Sequence, residues 1–252
     1  MKFSVCTDSV FSGVPTAEAM ETVRACGIKA IEFWNWQGKD LAAIEENANR
    51  LSMEIAAFCT SAVSLTDPSC REKYISELKA ALAVAKQLKC KRLISQVGND
   101  TGDAAAKQRQ SIIDGLKACV PLLEAADVTL LVEPLNTTID HIGYYLSSSK
   151  EGGEIIDAVN SENVRLLYDC YHQQITEGDI IRNIQTLGPR IGHIHTAGNP
   201  GRHELNSGEM RYEGIFAAID EMKYDGYVGL EYYPLRDVKE SLIRLQSPIA
   251  PA

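Results

Sequence analysis

Short apolar runs alternate with amphipathic stretches along the whole of this 252-residue chain. Eight runs rich in Ile, Val, Leu and Phe read as strands: Phe3–Cys6, Ala30–Trp34, Glu54–Cys59, Arg92–Gln96, Thr129–Glu133, Val164–Asp169, Ile191–Thr196 and Val228–Tyr232. They are nearly continuous rather than alternating, as expected of parallel strands buried on both faces. Between them lie helical patterns. Pro15 opens the first, and Gly27 ends it as a C-cap residue. Asp40–Leu51 is the second. Ser69–Leu88 places Leu78, Ala81, Leu82, Ala85 and Leu88 at helical spacing, and Ala104–Ala126 repeats the pattern with Ile112, Ile113, Leu116, Val120 and Leu123. Shorter helices are expected around Gly153–Val159, Asp179–Leu187, Tyr212–Met222 and Asp237–Leu245. Eight strand–helix units predict an α/β fold, a (β/α)8 TIM barrel, as a single domain over residues 1–252. An open dinucleotide-binding sheet would carry a Gly-rich loop after an early strand. The loop after Phe3–Cys6 has only Gly13, so no nucleotide cofactor is expected.

Four polar residues end four successive strands in the C-terminal half: Glu133, Asp169, His195 and Glu231, at intervals of 36, 26 and 36 residues. Each interval holds one strand and its return helix, about 30 residues. Barrel enzymes place their active-site groups at these strand ends. Each residue also has a plainer reading. Glu133 before Pro134 could face solvent, Asp169 could form an Asx-turn or cap a helix, and His195 or its neighbour His193 could be a hydrogen-bonded core histidine. The joint pattern favours chemistry. Three carboxylates and an imidazole would form a hard, octahedral-type site for Mn²⁺ or Mg²⁺, with Co²⁺ a further candidate. Arg202, in the polar loop after His195, offers a guanidinium fork for a carboxylate or phosphate.

Charge and cysteine usage narrow the classes. With 25 Lys and Arg against 34 Asp and Glu, the net charge is −9, which argues against a nucleic-acid partner. No run reaches the roughly 18 apolar residues of a membrane span. Seven dispersed cysteines without a CxxC pair read as reduced thiols. With no signal-peptide pattern at Met1–Cys6, a cytoplasmic location is expected. The expected partner is a small-molecule substrate, with assembly into a homo-oligomer left open.

Four motifs carry a resemblance. Val132-Glu133-Pro134-Leu135-Asn136, Asp140-His141-Ile142-Gly143-Tyr144-Tyr145-Leu146, the Tyr168–Asp179 segment around Asp169-Cys170-Tyr171-His172, and Pro200-Gly201-Arg202-His203-Glu204 resemble the hydroxypyruvate isomerase family. That family lies within the xylose-isomerase-like superfamily of sugar isomerases and epimerases. The motifs span about residues 130–235. The resemblance implies one divalent ion held by Glu133, Asp169, His195 and Glu231, with the two glutamates exchanging protons with substrate. It also implies that His172 and Arg202 bind substrate oxygens. The implied reaction is isomerisation of a small α-hydroxy carbonyl compound through an enediol, with hydroxypyruvate to tartronate semialdehyde as its type. One departure points elsewhere: some hydroxypyruvate isomerases carry Gln at the position of His195, where ketose 3-epimerases carry His. Those epimerases tend to carry Glu six residues past the first ligand, and here that position is Ile139. The alternatives are therefore a ketose 3-epimerase or other sugar (phosphate) isomerase, a metal-dependent endonuclease-type hydrolase, and a barrel that binds without turnover.

Overall fold

In the computed structural model, which describes residues 1–246, eight parallel strands hydrogen-bond in chain order and close on themselves. They are β1 (Lys2–Cys6), β2 (Ala30–Phe33), β3 (Glu54–Cys59), β4 (Arg92–Ser95), β5 (Thr129–Val132), β6 (Val164–Asp169), β7 (Ile191–Thr196) and β8 (Tyr227–Leu230). The expected strands are all present. Four of them stop one or two residues short of their expected C-terminal ends, because the chain there turns into the barrel mouth. Pairing persists just past those ends: the Glu133 amide donates to the Ser95 carbonyl at 3.2 Å, and the Glu231 amide to the Thr196 carbonyl at 3.0 Å.

The return helices are α1 (Thr7–Val10), α2 (Thr16–Ala25), α3 (Leu41–Leu51), α4 (Arg71–Gln87), α5 (Ala105–Ala126), α6 (Ser149–Val159), α7 (Cys170–Thr176), α8 (Ile180–Leu187), α9 (Tyr212–Glu221) and α10 (Val238–Gln246). The apolar stripes read from the sequence face the strands: Leu78, Ala81 and Ala85 of α4, and Ile112, Leu116 and Leu123 of α5, are buried. Helix α6 begins four residues before its expected start. Ser148 caps it by accepting from the Glu151 amide, and a cap of this kind stabilises a helix by about 1 kcal/mol. Gly152 and Gly153 discourage a helix by propensity, yet packing requires them. A Cβ on Gly152 would lie 2.7 Å from Leu166 Cδ1, and one on Gly153 2.8 Å from Leu187 Cδ2. Tertiary contact overrides the local preference.

The barrel interior is divided. Ala57, Ile94, Leu131 and Leu167, from β3 to β6, form an apolar plug. On the opposite side, β1, β2, β7 and β8 contribute Ser4, Glu32, His193 and Gly229, and the three side chains among them are buried. The pairing register slips by one residue at β2–β3, between Ile31 and Glu32, and at β6–β7, between Leu166 and Leu167. Such bulges re-aim side chains and are frequent beside active sites. Among the described residues, no helix is long and apolar enough to cross a membrane.

Candidate metal centre and active-site cleft

A cleft of about 390 Å³ opens at the C-terminal end of the barrel, lined among others by Trp34, Glu133, His172, His195, Arg202 and Glu231. A larger cavity, about 620 Å³, opens at the opposite end around Arg92 and Arg165; none of the candidate residues line it. In α/β barrels the chemistry belongs to the C-terminal face, so the smaller cleft is the relevant one.

The four strand-end residues converge at its floor. Glu133, Asp169, His195 and Glu231 are all buried, and each offers one ligand atom within 4.8 Å of the other three. Around an octahedral ion with bonds of about 2.1 Å, neighbouring ligand atoms lie about 3.0 Å apart and opposite ones about 4.2 Å. The observed cluster fits that scale. His195 Nδ1 lies 3.0 Å from Glu231 Oε2 and 3.6 Å from Glu133 Oε1, and it is buried without completing a hydrogen bond.

Asp169 divides its two oxygens. Oδ1 caps α7, accepting from the amides of Tyr171 at 2.7 Å and His172 at 3.3 Å. Oδ2 faces inward, 3.7 Å from Arg202 Nη2 and 3.6 Å from His172 Nε2. The helix-cap reading and the ligand reading of this residue are thus compatible. Helix α7 itself was not expected from the apolar pattern. Its signal is the short Asp169 side chain placed to cap the chain that follows.

Arg202 reaches in from the loop after β7, where its backbone takes a left-handed φ of 56°. The Tyr233 amide donates to the Arg202 carbonyl at 2.7 Å and fixes the backbone there, in a loop packed so tightly that a Cβ on Gly208 would lie 2.1 Å from the Asn199 carbonyl oxygen. Its Nη2 donates to Glu231 Oε2 at 2.6 Å and its Nε to the Glu231 carbonyl at 3.3 Å. Trp34 Nε1 donates to the other carboxylate oxygen, Oε1. His172 Nδ1 accepts from the side-chain amide of Asn136 at 2.7 Å and from its backbone amide at 3.3 Å. That leaves the His172 proton on Nε2, at the cleft.

The electrostatics follow from burial and proximity. Burial alone would raise the Glu231 carboxyl, but the charges of Arg202 and His195 outweigh it and hold it well below the usual range. Asp169 is raised by burial and by Glu231, with Arg202 opposing. Burial disfavours a charged His195, yet Glu231 and Glu32 beside it push its pKa well up. Burial and the neighbouring Arg202 push His172 down to about 3, so it is a neutral donor. Cys59, which lines the cleft, is pushed well up by burial and then by Glu133 and Glu231; it is a thiol and no nucleophile. Three buried carboxylates face one guanidinium and, without an ion, a charged His195; a ligating His195 is neutral, and two negative charges then remain to balance. A divalent cation would supply that charge, and the donor set is the one that hard ions prefer.

The six residues singled out from the sequence, Glu133, Asp169, His195, Glu231, His172 and Arg202, are brought together at one cleft. Trp34, which donates to Glu231, and Glu32, below the floor, were not among them. The available signal for Glu32 was a charge in the middle of an otherwise apolar strand.

An eight-stranded parallel barrel with a carboxylate–imidazole cluster that could hold a metal ion at its C-terminal mouth defines the class of this protein. The chain belongs to the xylose isomerase-like TIM barrel family, whose sequence profile matches residues 20–247. It is 26% identical to hydroxypyruvate isomerase of Escherichia coli over 257 aligned positions, covering 98% of this chain and 99% of that one. It is 39% identical to 2-oxo-tetronate isomerase of Cupriavidus necator over 129 positions, about half of each chain (51% and 49%). Among solved structures, it superposes on AP endonuclease, family 2, of Brucella melitensis with a TM-score of 0.93 and 25% identity over 98% of both chains.

Proposed function

We propose that this protein is a divalent-metal-dependent isomerase of small α-hydroxy carbonyl acids, acting through an enediol, with hydroxypyruvate to tartronate semialdehyde as the leading reaction. The observation that carries the proposal is the convergence of four buried ligand atoms at the floor of a cleft sized for a small metabolite. The isomerase names of the two relatives support it.

Glu133, Asp169, His195 and Glu231 would hold the ion, Mn²⁺ or Mg²⁺, with Co²⁺ a further candidate. When bound, the ion would stabilise negative charge developing on the substrate's oxygens. The chain's own residues supply the rest. Glu133 and Glu231 stand just past the ends of β5 and β8, each facing His195 Nδ1. One, as a carboxylate, takes the proton from the hydroxyl-bearing carbon; the other, starting protonated, gives its proton to the former carbonyl carbon, and the hydroxyl proton passes to the former carbonyl oxygen, so that no proton is gained or lost. Trp34 and Arg202 clamp the Glu231 carboxylate in place. Arg202 spends Nε and Nη2 on Glu231, leaving Nη1 for a substrate oxygen. His172 offers its Nε2–H, and its neutrality lets it donate without adding charge.

A second reading is a ketose 3-epimerase on the same barrel, favoured by the histidine at position 195. Ile139 stands 63% exposed where that reading expects an acid. The hydrolase reading fits less well, because a −9 chain repels nucleic acid. The deciding experiment offers short α-hydroxy carbonyl acids and neutral ketoses to the protein with Mn²⁺, Mg²⁺ or Co²⁺ and identifies the products. Turnover of hydroxypyruvate or a 2-oxo-tetronate ahead of every ketose is expected. Faster turnover of a neutral ketopentose or ketohexose than of every acid would replace this reading with the epimerase one.

A further inference from the structure

Beneath the cleft the barrel holds a fourth carboxylate that the proposed reaction does not use. Glu32, on β2, is 1% exposed. A buried carboxylate costs several kcal/mol unless it is paired, so its partners indicate its purpose. Glu32 Oε2 lies 2.8 Å from His193 Nε2 and 3.3 Å from His195 Nε2, and Ser4 Oγ donates to Oε1 at 3.4 Å. The space for this carboxylate comes from Gly229. A Cβ there would lie 2.0 Å from Glu32 Oε1 and 2.7 Å from His195 Cδ2. Both register slips fall at this level, one just before Glu32 and the other just before His193. Four strands are therefore adapted to one buried acid.

The two nitrogens of His195 face different surroundings. Nε2 faces Glu32, while Nδ1 faces the carboxylates of Glu231 and Glu133. A carboxylate only accepts, and a ligating imidazole has one N–H and one lone pair. When His195 ligates, the nitrogen against Glu32 therefore keeps its hydrogen, and the nitrogen that gives up its proton to the ion is Nδ1, among the other ligands. We infer that Glu32 is the positioning residue of the metal centre: it keeps the His195 proton on Nε2 and so presents Nδ1 to the ligand cluster. The inference rests on the metal-site reading of Glu133, Asp169, His195 and Glu231. His193 provides the second anchor, donating to the same oxygen, Oε2, so that Glu32 cannot swing away from His195. Gly229 keeps the place of the carboxylate open. Ligating histidines are commonly oriented by an acceptor on their far nitrogen. Here the acceptor is a charged residue within the barrel, and it touches no substrate.

The same three residues, Glu32, His193 and His195, also lie close enough to hold an ion of their own. Their separations of 2.8 and 3.3 Å are those of N–H···O hydrogen bonds, and the test distinguishes the two cases. Wild type, Glu32→Gln and Gly229→Ala are titrated with Mn²⁺ by calorimetry, with thermal unfolding of each metal-free protein alongside. Long-range ¹H–¹⁵N spectra of Mg²⁺-loaded wild type report which nitrogen of His195 bears the proton. The expected results are one Mn²⁺ per wild-type chain, a proton on His195 Nε2, and affinity about 10- to 100-fold weaker in both variants. A glutamine can turn either its carbonyl or its amide toward His195, so it no longer selects the nitrogen. A purely structural role would lower the unfolding temperature and leave the Mn²⁺ affinity of the folded variants unchanged, and that result overturns the inference. A second Mn²⁺ that disappears in Glu32→Gln also overturns it, by making Glu32 a ligand. If neither variant folds, the wild-type spectrum decides: a proton on Nδ1 with Nε2 bare overturns it. No Mn²⁺ binding to folded wild type removes the metal-site reading itself, an outcome distinct from tight binding that Glu32→Gln leaves intact.

Discussion

At the scale of single residues, each side chain at the cleft floor has two kinds of partner, and substitutions can separate them. Asp169 caps α7 with one oxygen and faces the cluster with the other. Asparagine is as good a cap as aspartate but brings no negative charge. Asp169→Asn should therefore lose Mn²⁺ binding by two or more orders of magnitude. Asp169→Ala should lose the cap as well, at about 1 kcal/mol, and melt roughly 2–4 °C below the asparagine variant. Calorimetric titration and thermal unfolding of the two metal-free proteins check both halves. For proton transfer, Glu133→Gln and Glu231→Gln should each reduce turnover by roughly two or more orders of magnitude. Metal content must be measured with the rates, and near-normal turnover in either variant would remove that residue from the mechanism. Arg202 is tested by selectivity, because its pairing with Glu231 makes any loss of turnover ambiguous. Arg202→Ala should raise KM for hydroxypyruvate far more than for a neutral ketose. A charged hydrogen-bond partner is worth about 1.5–3 kcal/mol, so the split should be on the order of tenfold to a hundredfold. An equal rise for both substrates would confine Arg202 to holding Glu231.

At the scale of elements, the strands and long helices could be read from the chain because their signals are local and repeated. Buried parallel strands show as unbroken apolar runs, and α4 and α5 carry apolar stripes over many turns. The candidate ligands could be read for the same reason: strand ends in a barrel converge, so spacing alone brings Glu133, Asp169, His195 and Glu231 together. What stayed hidden depends on contacts across the barrel. The early start of α6 through Gly152 and Gly153 makes sense only against Leu166 and Leu187. Glu32 makes sense only against His193, His195 and Gly229, which lie more than 160 residues away in sequence. Arg202 was expected to face substrate, and its contact with Glu231 comes from a loop conformation that no periodicity encodes.

At the scale of the whole molecule, the barrel gathers buried like charges at one end, and a bound cation should stabilise the fold. An ion that binds only the native state, at a hundred times its dissociation constant, adds about 2.7 kcal/mol. For a chain of this size that is a rise of roughly 5–10 °C in the midpoint of thermal unfolding. Chelation should reverse it, and Mn²⁺ should not raise the midpoint of Asp169→Asn. The most direct measurement is the anomalous scattering of Mn²⁺ in crystals of the loaded protein. The expected result is a strong peak on the cleft floor, about 2.0–2.4 Å from an oxygen of Glu133, Asp169 and Glu231 and from Nδ1 of His195. A peak centred elsewhere, or none at saturating Mn²⁺, would contradict the assignment of these four residues as the metal centre.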